Sequence, residues 1–237
     1  KKNITRRLTT ALLAAVMCVS MAACGSKTDD TKTDGTGDAD GAKKYTIGVC
    51  QLVTHDALDA ATQGFIDAVK DKLGEENVTI DVQNAANDQN VCTTIVNPFV
   101  SKKVDLIMAN ATPALQAAYN ATAEIPILGT SVTEYGVALG IDDFDGLVGT
   151  NISGTSDLAP LDEQAGIIKE LFPDAKTVGL LYCSAEPNSQ YQVDTVKASL
   201  EELGYTCEYY AFSDSNDLAT VCQSAADASD VIYLSLI

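Results

Sequence analysis

The sequence has few of the residues on which hydrolytic, metal-dependent or phosphoryl-transfer chemistry depends. It has a single histidine, His55, and lacks the patterns G-x-S-x-G, H-E-x-x-H and the Walker loop. Those patterns supply a nucleophile, zinc ligands and a phosphate cradle. Two clusters of carboxylates remain as candidates for paired catalytic acids or a cation site: Asp56 with Asp59, and the acidic stretch 142–145. The simpler interpretation is that the first is a helix start and the second is a surface loop. We therefore expect no catalytic residue, no cofactor and no metal.

Basic residues are also scarce. Fifteen Lys and Arg stand against 33 Asp and Glu, and the formal net charge is −18. Nucleic acid is an improbable partner for such a chain, because phosphate binding needs a basic surface. The acidic excess is expected to form a solvated exterior that keeps the protein soluble.

No apolar run is long enough to be a typical membrane span. The uncharged stretch from Leu8 to Ala23 has 16 residues, whereas a spanning helix needs roughly 18–20. It follows a basic head and ends in small residues directly before Cys24, which is the order of an export signal with a lipid-accepting cysteine. We predict a lipoprotein signal peptide at 1–23 and an acylated Cys24 that holds the protein to the outer side of a membrane. A membrane anchor at 8–23 is the alternative.

The segment after Cys24 lacks aromatic and branched aliphatic residues as far as Lys44. It alternates Thr, Asp, Gly and Lys, and such a composition cannot bury enough apolar surface to offset the entropy of ordering. Residues 24–44 are therefore predicted to be a disordered tether, and a structured domain is predicted to begin near Tyr45.

Seven cysteines are present, without a C-x-x-C pair. Metal and redox motifs are therefore weakly supported. Cys50 and Cys183 lie in apolar runs, where a thiol behaves as a small hydrophobic group. A disulfide between Cys207 and Cys222 is possible, although the spacing does not select it.

Apolar runs and helical patterns alternate along the chain from Tyr45. Strands are predicted at 45–50, 78–83, 105–110 and 125–130, and helices after Asp56 as N-cap, at 88–100 and at 113–122. The alternation restarts near residues 147–157, with helices at 160–171, from Asn188 and at 217–226, and strands at 177–183, 205–212 and 230–237. We predict an α/β protein with two parallel-sheet lobes, at 45–150 and 151–237. The second lobe is expected to be incomplete, because no covering helix follows its last strand.

Ligands of open α/β sheets bind beyond the carboxyl ends of the strands. The loops there hold His55, then Thr112 as a predicted N-cap with Pro113 at the first helical position, then Thr133. Free amides at helix starts, with hydroxyl groups beside them, suit a carboxylate. Plain helix capping is the alternative for each loop, and His55 could be a loop residue with its hydrogen bonds satisfied. The predicted ligand-binding residues are Gln51, His55, Ala111, Thr112, Pro113, Val132, Thr133, Ser156, Asp157, Asn188 and Ser189.

Several of these stretches together resemble one protein family. The segments 51–65, 105–118, 125–134, 151–157 and 181–190 are similar to the ABC-transporter substrate-binding lipoproteins of the tryptophan/tyrosine type. The resemblance runs over nearly all of 45–234. It implies a type I periplasmic-binding-protein fold, whose two lobes close about a hinge on an amino acid and present it to an ABC permease. Such proteins are not enzymes.

The family-like sequence is expected to continue beyond this chain. Members that resemble it follow the last strand, 230–234, with a Thr-Asp-Asn-like loop, and an acidic residue there would suit the ligand's ammonium group. The resemblance therefore implies a C-terminally truncated chain. An aromatic or hydrophobic amino acid is the expected ligand; a branched amino acid or purine nucleoside, a sensing domain for a receptor, and an extracellular α/β enzyme are the alternatives.

Overall fold

The computed structural model describes residues 43–235. The predicted signal peptide, the lipid acceptor Cys24 and nearly all of the predicted tether lie outside the described residues. Within 43–235 no helix combines the length and the apolar character needed to cross a membrane.

The first half of the described chain forms a five-stranded parallel sheet in the order β2-β1-β3-β4-β5. Its strands are β1 (Tyr45–Gln51), β2 (Val78–Asn84), β3 (Leu106–Asn110), β4 (Ile127–Val132) and β5 (Ile152–Ser156). The helices between them are α1 (Asp56–Leu73), α2 (Gln89–Lys102), α3 (Thr112–Ala121) and the short α4 (Tyr135–Leu139), with a 3₁₀ turn at Glu75–Asn77. We call this unit the N-terminal lobe.

The second half forms a three-stranded parallel sheet in the order β7-β6-β8. Its strands are β6 (Thr177–Cys183), β7 (Thr206–Phe212) and β8 (Val231–Leu234), and its helices are α5 (Leu161–Leu171), α6 (Pro187–Glu202) and α7 (Ser215–Ala228). We call this unit the C-terminal lobe. The predicted α/β class with two parallel sheets is confirmed.

Each lobe has its own apolar core. In the N-terminal lobe α2 and α3 cover one face of the sheet around Phe99, Ile107 and Leu115, and α1 covers part of the other face. In the C-terminal lobe Leu180 and Leu200 lie in the main core, and a smaller cluster with Phe212 lies beneath α7. Burial of such side chains contributes about 1.5–3 kcal/mol each, so each sheet is held mainly by its own helices.

The boundary predicted at residue 150 lies before the last strand of the first sheet. Strand β5 pairs with β4, and the chain passes to the second lobe only after Asp157. The strand was missed because its sequence, ISGTS, is polar and four of its five residues are exposed, as befits the edge of a sheet.

Two other predictions need correction. His55, and not Asp56, is the N-cap of α1, and Ala111, and not Thr112, precedes α3. The sequence left a disulfide between Cys207 and Cys222 open, and both are free thiols. Cys207 lies in the main apolar core of the second lobe, and Cys222 lies in the smaller cluster beneath α7. The spacing in sequence allowed a disulfide between them, but the fold places them in different apolar clusters.

Candidate functional site

The carboxyl ends of four adjacent strands lie side by side in the N-terminal lobe. Gln51 pairs with Asn110 across β1 and β3, and Asn110 pairs with Thr130 across β3 and β4. Val132 pairs with Ser156 across β4 and β5. Residues that are far apart in sequence therefore form one edge of the sheet, where the loops predicted to bind ligand begin.

Backbone hydrogen bonds continue this pairing into the loops. Ala111 N donates to Thr130 O at 3.0 Å, and Asp157 N donates to Val132 O at 3.1 Å. The loops are thus extensions of the sheet and hold their backbone groups in fixed directions, as a preorganised binding site requires.

The loop before α3 has an unusual backbone. Ala111 has φ 90° and ψ 159°, a conformation that is essentially confined to glycine. Thr112 and Pro113 form the first turn of α3 and are buried. Within residues 43–235 the amides of Thr112 and Ala114 donate no hydrogen bond. Two free N–H groups at a helix start, one beside a hydroxyl group, are suited to an anionic ligand group.

The neighbouring β4 loop is also irregular. Ser131 has φ 54°, and the pairing with β5 shifts between Gly129 and Val132. Beyond it, Glu134 Oε2 accepts a hydrogen bond from Val137 N at 2.6 Å and so caps α4. Thr133 is buried between this cap and the strand end. The bulge re-aims the chain at the sheet edge, as bulges near binding sites often do.

Tyr135 packs against the strands β4 and β5 next to this loop. Its hydroxyl group donates to Thr155 O at 3.2 Å, and its ring lies over the paired glycines Gly129 and Gly154, where a Cβ atom at either position would overlap with the hydroxyl oxygen. Burial, together with the nearby Asp157 carboxylate, raises the pKa of Tyr135 to about 12. The phenol is therefore neutral and serves as a hydrogen-bond donor at physiological pH.

Asp157 and Ser156 join β5 to the β4 loop. Ser156 Oγ donates to Thr133 O at 2.7 Å and accepts from Leu158 N at 3.1 Å, so its hydroxyl group is already engaged. Partial burial raises the pKa of Asp157, while the Thr133 side chain acts in the opposite direction. Ser156 thus positions the loop, and the Asp157 carboxylate remains beside Thr133.

Gln51 is buried and its polar atoms are occupied within the lobe. Its Nε2 donates to Val53 O at 2.8 Å, and its Oε1 accepts from Thr62 Oγ1 at 2.6 Å. Asn110 joins this network by donating to Leu58 O and to Thr62 Oγ1. The side chain of Gln51, predicted to bind ligand, is therefore used to hold α1 against the ends of β1 and β3.

His55 lies apart from this cluster of engaged side chains. It is exposed, and its Nδ1 accepts a hydrogen bond from Ala57 N at 3.2 Å. This is the helix-capping role that the sequence offered as the alternative to ligand binding.

The C-terminal lobe contributes a buried polar cluster at the start of α6. Glu186 is the N-cap residue, and Asn188 and Ser189 lie in the first turn. Ser189 Oγ donates to Glu186 Oε2 at 3.4 Å. Burial raises the pKa of Glu186, and hydrogen bonding from Ser189 and Asn188 opposes this effect. Both residues predicted at this loop are therefore buried together with a carboxylate that the prediction omitted.

The two lobes contact each other through α4 and α6. A cavity of about 390 Å³ lies at this contact and is lined by residues that include Glu134, Gly136 and Phe144 from the first lobe and Tyr191 from the second. The loop that carries Thr133 leads directly into α4, and the cluster at Glu186 begins α6, so each cluster is joined to one of the two helices at this contact.

Sequence reasoning missed two residues of these clusters, Asn110 and Glu186. Each has a recognisable pattern: Asn110 is a polar residue that ends a buried apolar run, and Glu186 is an acidic residue directly before the proline that begins a helix. Within 43–235 no group of three or more His, Cys, Asp or Glu residues is arranged to hold a metal ion.

Comparison with known proteins gives a consistent result. The sequence profile of a family described as ABC transporter substrate binding protein matches residues 46–236. The chain is 36% identical over 233 residues to the "Tyrosine-binding protein" of Clostridioides difficile (strain R20291), an alignment that covers 97% of this chain and 67% of the relative. The chain thus spans about two thirds of the relative's length.

Two solved structures are informative about the lobes. The ABC domain from Streptococcus pneumonia in complex with L-Trp is 32% identical, with a TM-score of 0.77, over 82% of this chain and 66% of that one. A ligand-free, open substrate binding protein with adhesive properties from Clostridium difficile is 39% identical, with a TM-score of 0.57, over 80% and 65%. The fold thus superimposes better on the ligand-bound relative, although the open one is closer in sequence.

Proposed function

Since the chain belongs to the family of ABC transporter substrate-binding proteins, we propose that it captures an amino acid between its two lobes and delivers it to an ABC permease. Solved relatives share the type I periplasmic-binding-protein fold. The family binds solutes, and the proposed role involves no chemical change of the ligand. A bound ligand should therefore be recovered unaltered after incubation with the protein.

An aromatic amino acid is the ligand that the comparisons favour. The supporting observation is that one relative is named for tyrosine and another was solved with L-Trp, both above 30% identity to this chain. The sheet edge adds a physical argument, because free amides and hydroxyl groups converge there. An amino acid has a carboxylate for such a site and an apolar side chain to bury.

We assign the ligand carboxylate to the start of α3 and the β4 loop. The free amides of Thr112 and Ala114 and the buried Thr133 support this assignment. Ala111, Pro113, Val132 and Asp157 shape the same edge. Asn188 and Ser189 would contact the ligand from the second lobe, because hinge closure traps a ligand between two surfaces.

The ligand assignment is tested by isothermal titration calorimetry with L-tyrosine, L-tryptophan and L-leucine, followed by a thermal-shift screen of the twenty amino acids. We expect saturable binding of an aromatic amino acid. Absence of any amino-acid binding by the folded protein would refute the proposal. Tight binding of a purine nucleoside would show that the ligand is a nucleoside and not an amino acid.

The carboxylate assignment is tested with Thr112→Val and Thr133→Val, which keep the shape of each side chain and remove its hydroxyl group. Each change should weaken binding by about 0.5–1.5 kcal/mol, and by more where the hydroxyl group contacts a charged ligand group. Unchanged affinity in both folded variants would place the ligand carboxylate elsewhere.

Membrane attachment through Cys24 is part of the same proposal. The support is the order of basic head, apolar stretch and small residues before Cys24, together with the extracytoplasmic role of the family's binding proteins. Cys24→Ala should move the protein from the membrane to the soluble fraction or prevent processing. Normal processing with full membrane retention would exclude this anchor.

A further inference from the structure

The start of α6 contains an incompletely paired polar cluster. Glu186 is only 9% exposed and Asn188 only 4% exposed, and both lie beyond the carboxyl end of the central strand β6. The three ion pairs within residues 43–235 all lie elsewhere, so the Glu186 carboxylate has no cationic partner there. Its hydrogen-bond donors are neutral groups: Ser189 Oγ, at a long 3.4 Å, and the side chain of Asn188. A buried carboxylate without a cation is unfavourable unless something else compensates it.

Asn188 provides the second, independent observation. Its Oδ1 is fully buried and has no hydrogen-bond partner within residues 43–235. A buried acceptor without a donor loses its hydration and gains nothing in exchange. Within residues 43–235 the amide oxygen thus lacks a hydrogen-bond donor and the neighbouring carboxylate lacks a cation, and a single cationic N–H group would supply both.

We infer that Glu186 and the Oδ1 atom of Asn188 together bind the α-ammonium group of the amino-acid ligand. This inference rests on the proposed function and deepens it, because it assigns one end of the ligand to one lobe. An ammonium group has three N–H donors that reach separate acceptors. A divalent cation fits less well, because it needs about six oxygen ligands and no group of three or more acidic, His or Cys residues is gathered for a metal within 43–235.

The position of the cluster agrees with this role. Helix α6 contacts α4 of the first lobe, and α4 follows directly on Thr133 and its capping neighbour Glu134. The ammonium site therefore lies across the lobe contact from the loop assigned to the ligand carboxylate. A ligand held at both ends links the lobes, which gives Glu186 a part in closure. The family resemblance placed the ammonium partner in a loop after β8; Glu186 is a partner within the described residues.

The test compares L-tyrosine with 3-(4-hydroxyphenyl)propionate, which lacks only the amino group. Calorimetry is performed on the wild-type protein, Glu186→Gln and Asn188→Leu, with Glu170→Gln as an exposed acidic control in the same lobe. We expect wild type and Glu170→Gln to prefer L-tyrosine at least tenfold. Glu186→Gln should bind L-tyrosine at least tenfold more weakly, while its affinity for the propionate should change little. Asn188→Leu should likewise weaken the binding of L-tyrosine more than that of the propionate.

The outcomes separate the two proposals. Wild-type protein that binds neither compound nor any other amino acid would refute the proposed function. Wild-type protein that binds both compounds equally, or variants that keep the wild-type preference, would refute only the ammonium assignment. Ligand-free melting temperatures add a check: Glu186→Gln should melt at or above the wild-type temperature, whereas a fall of several degrees would make Glu186 a structural residue and overturn the inference.

Discussion

The two lobes prepare for a ligand in different ways. In the N-terminal lobe backbone groups face the site: Ala111 and Ser131 have positive φ, and the amides of Thr112 and Ala114 donate no hydrogen bond within the described residues. In the C-terminal lobe side chains face it: Glu186 and Asn188 are buried without full compensation. The first lobe is therefore strained in its main chain, and the second has a buried carboxylate without a cation within residues 43–235. Each lobe also has one buried amide oxygen without a partner there, Asn110 Oδ1 in the first and Asn188 Oδ1 in the second.

The difference follows from the sheets. The first lobe presents the adjacent ends of several strands of one five-stranded sheet. Hydrogen bonds such as Ala111 N to Thr130 O connect the loops there, and connected loops can hold unusual backbone angles. The described part of the second lobe has three strands with β6 at the centre, so its site is concentrated on the single helix start that follows β6. Strain can be kept only where surrounding structure fixes it.

The largest expected effect tests whether the lobes are independent. Ile107→Ala removes core contacts of the first lobe and Leu180→Ala those of the second, and both side chains are fully buried. Each change should cost about 2–5 kcal/mol. Because the two residues lie in separate cores, differential scanning calorimetry should show that each variant mainly shifts the transition of its own lobe. Equal shifts of one shared transition in both variants would show that the lobes unfold as a unit.

The next effect concerns the glycine pair beneath Tyr135. Gly154→Ala places a Cβ atom against the Tyr135 hydroxyl group and Gly129 O, and overpacking of this kind costs about 1–3 kcal/mol. The control is Gly166→Ala in α5, where a Cβ atom meets nothing within 4 Å. Gly166→Ala should raise the free energy of unfolding by about 0.5–1 kcal/mol. Urea denaturation measures both, and a neutral Gly154→Ala would mean that Tyr135 moves aside freely.

Backbone strain gives a smaller effect of predictable sign. Ala111→Gly should stabilise the ligand-free protein by about 1 kcal/mol, because glycine adopts φ 90° and ψ 159° without steric cost. Ala198→Gly, at an exposed position within α6, should instead cost about 1 kcal/mol. If both variants lose stability to the same extent in urea denaturation, the strain at Ala111 is not real.

The smallest effects concern two acidic residues of the second lobe whose pKa values shift in opposite directions. Amides of Lys176 and Thr177, with the Thr177 hydroxyl group, lower the pKa of Asp230, so its stabilisation is present above the unfolded value near 3.9 and is lost as pH falls through the folded pKa. Burial raises the pKa of Glu186, so stability declines as pH rises from about 4.5 through the folded pKa.

Chemical denaturation between pH 3 and pH 7 separates these two contributions. Asp230→Asn should flatten the acid limb below about pH 4, where the wild-type protein loses the Asp230 contribution. Glu186→Gln should remove the decline above about pH 4.5. Profiles of both variants that run parallel to the wild type would contradict the assigned directions.

Periodicity alone was sufficient for much of the fold. Runs such as 45–50 and 177–183 are mostly apolar, and a parallel strand covered on both faces needs such a run. The strands and their order along the chain could therefore be predicted. Strand β5 could not, since it lies at an edge and has a polar sequence that resembles a loop. Its pairing with β4 is a long-range contact that local pattern does not encode.

For the site, the sequence by itself determined which loops follow strand ends, because strand order along the chain fixes where each loop begins. It could not decide which side chains remain available. Gln51 is hydrogen-bonded to Thr62, Ser156 is hydrogen-bonded to the β4 loop, and His55 caps a helix. In the part of the chain that the structure describes, Asn110 and Asn188 each keep a side-chain oxygen without a partner. Only the tertiary structure decided this, because burial and hydrogen-bond satisfaction depend on partners brought together from distant parts of the chain.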